Sequence, residues 1–197
     1  MRKFLLSVAV LLIALPAQAQ QEPPKVIEEL HAVILDCMKN AEKLGFKGRR
    51  ERLAPAIEKA YNLPLMARLS VGPDWQKLSP DEQKRLTEGF KDLTISTYAG
   101  RFDGFSGEKF EVEPAVQDAQ GGNKVVQSRI ITSKGEAIQL NYLMRPANGW
   151  QIIDVFLKGT VSELATRRSE FSSVLRRDGA EALVKLMHEK AAAEAKG

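Results

Sequence analysis

The stretch from Trp150 to Phe171, WQIIDVFLKGTVSELATRRSEF, decides the fold. From Trp150 to Leu157 it is almost uniformly apolar, a strand that requires cover on both faces. Lys158-Gly159 ends that strand, and Val161, Leu164, Ala165 and Phe171 then recur at helical spacing. The segments on either side must supply the layers that pack against this strand and helix.

Upstream, from residue 108, the hydrophobic period is two. Phe110, Val112 and Val116 alternate with Glu111 and Glu113, and Val125 to Thr132 is dense in β-branched residues. Ile138, Leu140, Tyr142 and Met144 alternate with Ala137, Gln139 and Asn141. The separators Gln120-Gly121-Gly122-Asn123, Ser133-Lys134-Gly135-Glu136 and Pro146-Ala147-Asn148-Gly149 are short and turn-rich. Four strands joined as an antiparallel meander follow. The Gly121-Gly122 pair precedes a strand, not a helix, which argues against a phosphate-binding loop.

The preceding segment is helical. Val26, Ile27, Leu30, Val33, Ile34, Cys37, Met38 and Ala41 mark one face of a helix expected to reach about Leu44, where Gly45 and Gly48 end it. A second short helix starts at Arg49 and carries Leu53, Ile57 and Tyr61, and Pro64 to Leu69 forms a short buried one. Ser79-Pro80-Asp81-Glu82 combines a capping serine, a first-turn proline and an acid for a capping box. The helix it starts carries Leu86, Phe90, Leu93, Thr94, Thr97 and Tyr98 on one face. Arg101 to Gly107 is a glycine-punctuated turn whose two aromatics either close over something or plug one end of the core.

After Phe171, Val174 and Leu175 continue the helix, Asp178-Gly179 breaks it, and Ala182, Leu183, Leu186 and Met187 mark another. The tail from Glu189 is expected to fray. Helices, then strands, then helices make one α+β domain with helices gathered on the sheet.

Composition agrees: the chain has 197 residues, 44% hydrophobic and 27% charged, which is globular. Arg2 and Lys3, the apolar run Phe4 to Leu15 and Ala17-Gln18-Ala19 form a secretory signal, with cleavage expected after Ala19. The domain is then residues 20–197, exported and, in a two-membrane bacterium, periplasmic. Without Arg2 and Lys3 there are 27 basic against 25 acidic residues, too balanced to indicate nucleic acid. Cys37, the single cysteine, excludes an intramolecular disulfide and reads as a buried small hydrophobe.

Motifs for chemistry are missing. His31 and His188 lack neighbours at ligand spacing, and no nucleophile-elbow, nucleotide-loop or zinc-protease signature occurs. No enzyme, metal or cofactor is expected. Strict alternation puts Asp154 on one face with Trp150, Ile152 and Phe156, where a carboxylate needs a partner; Arg167 or Arg168 from the next helix is the expected one. Arg167, Arg168, Arg176 and Arg177 form either a solvated rim or a contact for anionic headgroups, a membrane surface or a docking partner.

Trp150-x-Ile152-x-Asp154-Val155, then Gly159, then Arg168-Ser169-x-Phe171-x-x-Val174-Leu175-Arg176 and Asp178-Gly179 resemble periplasmic lipid carriers of the toluene-tolerance or maintenance-of-lipid-asymmetry type (MlaC-like). Gly72-x-x-Trp75-x-x-Leu78-Ser79 and Tyr98 extend the resemblance upstream. Leu140 to Arg145 and Gly159 to Phe171 look most like the hopanoid-associated branch.

The resemblance implies a non-enzymatic shuttle, expected as a monomer, whose sheet and helices enclose an apolar cavity. Its cargo would be a phospholipid or a hopanoid, carried to or from membrane transport complexes of the ABC-transporter-associated kind that maintain the outer membrane. The expected lining is Leu140, Tyr142 and Met144 on one strand and Ile153, Val155 and Leu157 on the next. From the helices it is Ile34, Met38, Met66, Leu69, Phe90, Leu93 and Phe171, the methionines adapting to ligand shape. The competing reading is an envelope interaction module without lipid cargo.

Overall fold

A computed structural model describes residues 21–196. The expected signal peptide, 1–19, lies outside them. The chain folds as α1 (Pro23–Lys39), α2 (Ala41–Ala60), α3 (Leu63–Val71), a 3-10 turn (Gly72–Lys77) and α4 (Pro80–Arg101). Strands β1 (Lys109–Asp118), β2 (Lys124–Ile131), β3 (Ala137–Ala147), β4 (Gly149–Leu157) and β5 (Val161–Ser162) follow, then α5 (Glu163–Ala193).

The sheet is the expected antiparallel meander in the order β1-β2-β3-β4-β5. Its fifth strand was not anticipated: only Val161 and Ser162 pair, with Leu157 and Phe156, and two residues show no periodicity. Pairing of Val126 with Tyr142 and of Tyr142 with Val155 puts these three on one face, and Ser128, Leu140 and Leu157 join them.

Strict alternation fails in β4. Leu143 pairs with Asp154 but Met144 with Ile152, so Ile153 is the extra residue of a β-bulge. The bulge lets Ile152 and Val155 both face inward although they are three apart. Asp154 therefore shares a face with Phe156 but not with Ile152, which corrects the sequence expectation. Ile153 is buried but outside the central core cluster.

The helices cover the inner face. α1 packs on β1, α3 and α5 reach β4, and α4 lies against α5 and α2. The capping box at the start of α4 forms as expected: Ser79 Oγ accepts from the Glu82 N–H at 3.3 Å, and Glu82 accepts from the Ser79 N–H at 2.8 Å. α3 is pinned to the sheet where the Asn62 N–H donates to the Ile152 carbonyl at 2.9 Å.

The first helix ends earlier than expected, at Lys39, and the next begins at Ala41. Gly45 does interrupt the chain, as a kink with φ of 58°, whereas Gly48 is inside α2. The last two expected helices are one element bent at Gly179, whose φ of 83° favours glycine. Its tail stays helical through Ala193 instead of fraying from Glu189. Ala191, four residues beyond the buried Met187, continues the core stripe at 2% exposure. Among the described residues no helix is long and apolar enough to cross a membrane.

Candidate functional site

A cavity of about 240 Å³ opens between the inner face of the sheet and α3, α4 and α5. The sheet contributes Ile130, Ile138, Leu140, Tyr142, Val155 and Leu157; α3 contributes Met66; α4 contributes Phe90, Thr94, Thr97, Tyr98 and Arg101; and α5 contributes Glu163, Leu164 and Arg167. Tyr61 and Phe102 complete the wall. The space exists because α4 turns two threonines, Thr94 and Thr97, toward the sheet at positions where a filled core would carry larger aliphatics.

Six of the residues expected from sequence meet there: Met66, Phe90, Leu140, Tyr142, Val155 and Leu157. The other seven do not line it. Ile34, Met38, Leu93, Met144 and Phe171 are packed into the closed core, Ile153 sits at the bulge, and Leu69 is half-buried. Sequence reasoning missed Thr94, Thr97, Tyr61, Tyr98, Ile130, Ile138 and Arg167. Their signals were available: threonines on a core stripe, and an arginine on the stripe Leu164, Arg167, Phe171 and Leu175.

One side of this apolar space is polar. The Tyr61 and Tyr98 hydroxyls are hydrogen-bonded to each other, and Tyr142 Oη lies 2.9 Å from His31 Nε2. Burial pushes all three phenols above their ordinary range, so they serve as neutral hydrogen-bonding groups. Burial also holds the His31 imidazole neutral, its pKa lowered to about 4. Arg167 donates to Thr94 Oγ1 at 3.0 Å and lies over the Phe90 ring, 5.1 Å from its centroid. Arg101 pairs with Glu163 at 3.4 Å.

The expected ion pair of Asp154 with Arg167 or Arg168 does not form. Asp154 instead accepts from the Val155 N–H at 2.8 Å, the Leu164 N–H at 3.0 Å and Ser162 Oγ at 2.5 Å. Because β5 brings the start of α5 back over β4, the carboxylate meets the positive end of that helix rather than a side chain. It ties strand to helix, as expected, through a different partner. The arginine cluster also divides: Arg176 faces Asp74 at 3.7 Å, Arg177 pairs with Asp178 at 2.7 Å, and Arg168 is exposed.

The family model described as MlaC protein matches residues 28–189. The chain belongs to the MlaC family. Among solved structures, this MlaC-family chain is similar to a phospholipid-binding protein from Ralstonia solanacearum solved in complex with a phospholipid. The identity is 22% and the TM-score 0.76, over 89% of this chain and 99% of that one, a likeness that shows a shared fold. No curated protein sequence matches. The cavity of this MlaC-family chain lies in the fold that it shares with that protein.

Proposed function

We propose that the protein is a periplasmic lipid carrier that takes a phospholipid from one membrane transport complex and delivers it to another. Residues 20–197 form its lipid-binding domain once the signal peptide, 1–19, is removed. The observation that carries the reading is the apolar cavity between the sheet and α4 and α5 in a chain of the MlaC family. Burying an acyl chain is worth roughly 0.8 kcal/mol per methylene, so about 15 methylenes represent on the order of 12 kcal/mol to be matched when a lipid leaves a bilayer. An enclosed apolar wall is what can match it.

At about 240 Å³ the cavity is smaller than the roughly 300–1,000 Å³ of common ligand pockets. A diacyl lipid therefore requires the cavity to widen as it enters.

A hopanoid is the second cargo, supported by the resemblance of Leu140 to Arg145 and Gly159 to Phe171 to the hopanoid-associated branch. Organic extraction and mass spectrometry of gently purified protein distinguish the two. A stoichiometric phospholipid supports the first reading and a polycyclic terpenoid the second. No bound lipid, together with no uptake from vesicles, sinks the carrier reading and favours a docking module.

A further inference from the structure

The inner stripe of α5 runs through Leu164, Arg167, Phe171 and Leu175, and one of these four carries a charge. The Arg167 guanidinium is half-buried at the cavity wall, where it lies over Phe90 and donates to Thr94 Oγ1. A guanidinium has five N–H donors, and a cation so enclosed is costly without a counter-charge. Among the described residues no carboxylate lies within 4.0 Å of it. The acid on the preceding turn, Glu163, is engaged by Arg101 at 3.4 Å. Desolvation accordingly pushes the Arg167 pKa below its ordinary value; the Glu163 charge opposes that shift and the Arg101 charge adds to it.

The surroundings are selective. Apolar side chains from β3 and β4 face the same space, so a guest must offer hydrocarbon to the sheet and negatively charged oxygen to α5. Planar guanidinium donors match two oxygens of a phosphate or carboxylate at once. The Phe90 ring beneath the guanidinium and the Thr94 bond fix the orientation of those donors in advance.

We propose that Arg167 binds the anionic oxygen group, phosphate or carboxylate, of an amphiphile whose hydrocarbon chain occupies the cavity. The proposal rests on the reading of that cavity as a lipid site. Arg167 then supplies a charge-selective contact that a purely apolar cavity lacks.

The test is calorimetric titration of the intact domain with dodecyl phosphate, laurate, 1-dodecanol and inorganic phosphate. Dodecyl phosphate or laurate is expected to bind roughly 10- to 100-fold more tightly than dodecanol, the range for hydrogen bonds to a charged group. Whichever of the two binds more tightly identifies the headgroup chemistry. In Arg167→Gln the ratio of anion to alcohol affinity should fall toward one, Arg167→Lys should retain part of it, and Arg176→Gln should leave it unaltered. Equal binding of all three chain-bearing probes to the unsubstituted protein overturns the Arg167 proposal alone, even if Arg167→Gln fails to fold. Inorganic phosphate binding as tightly as dodecyl phosphate also overturns it, because the anion site would then be independent of the chain. Failure of every chain-bearing probe to bind overturns the lipid reading and this proposal with it.

Discussion

The Asp154 carboxylate accepts the backbone N–H of Leu164 at 3.0 Å, which fastens the innermost stretch of β4 to the first turn of α5. The first N–H groups of a helix have no partner within it, and a carboxylate there also meets the helix dipole favourably. Two further donors, the Val155 N–H and Ser162 Oγ, converge on the same group at 6% exposure.

Asp154→Ala should therefore destabilise the protein by about 2–3 kcal/mol, since it leaves buried N–H groups unpaired. Asp154→Asn keeps one acceptor oxygen but loses the charge, and about 1 kcal/mol is expected. Urea denaturation of the three proteins checks the order. Equal midpoints for Asp154→Asn and Asp154→Ala would show that charge and acceptor at this position do not matter separately.

Asp154 also shows where the sequence is readable and where it is not. The strands β1 and β3 alternate apolar with polar residues, so their faces follow from period two. In β4 the run Ile152-Ile153-Asp154-Val155 has too little polar punctuation to mark a bulge, and counting alternate residues groups Asp154 with Ile152 and Trp150, which the bulge places on the opposite face. β5 is shorter than any period. The cavity is a different case, because a cavity is a volume left unfilled, and apolar residues read alike whether they touch a ligand or each other. Phe171 and Phe90 occupy similar stripes, yet Phe171 is closed in the core and Phe90 lines the cavity. Thr94 and Thr97 were the legible sign, since small polar residues on a core stripe leave space.

That space predicts the effect of Thr97→Leu. Thr97 is 5% exposed and faces the cavity, so a larger apolar side chain fills volume without disturbing a surface. Stability should rise by about 1 kcal/mol, as cavity filling commonly gives. Lipid uptake from vesicles should fall several-fold in the same variant. Thermal unfolding and a vesicle transfer assay measure the two effects separately, and a stabilised variant with undiminished uptake would disconnect this cavity from lipid binding.

Arg49 makes a prediction about the scaffold. At 9% exposure its Nε donates to the Ala99 carbonyl at 2.8 Å, and its Nη1 donates to the Ala41 carbonyl at 3.2 Å. Ala99 belongs to the last turn of α4, whose carbonyls have no partner within the helix. Arg49→Met keeps the apolar stem but removes both donors, and a loss of about 2 kcal/mol is expected. Hydrogen exchange should be faster in the last turn of α4 in the variant. Unchanged protection there would mean that α5 packing alone holds that end of the helix.

His31 makes the fold sensitive to acid. Its imidazole is stacked against Phe110 with ring centroids 4.5 Å apart, and its Nδ1 has no hydrogen-bond partner. Desolvation keeps it neutral, with a pKa lowered to about 4 from the ordinary 6.5. The unfolded chain therefore binds a proton at a higher pH than the folded protein does. The stability this supplies is fully present above pH 6.5 and is lost progressively as pH falls from 6.5 through about 4. The loss over that window is about 3 kcal/mol. His31→Gln has no proton to gain but can still hydrogen-bond to Tyr142 Oη. Carboxylates that titrate in acid are common to both proteins and largely cancel in the comparison. The stability difference between the unsubstituted protein and His31→Gln, followed by urea denaturation from about pH 7 to about pH 4, should shift by that amount in favour of the variant. A difference that stays constant across the window would mean that the folded protein accommodates the charged imidazole, which an enclosed ring against Phe110 and Tyr142 should not do.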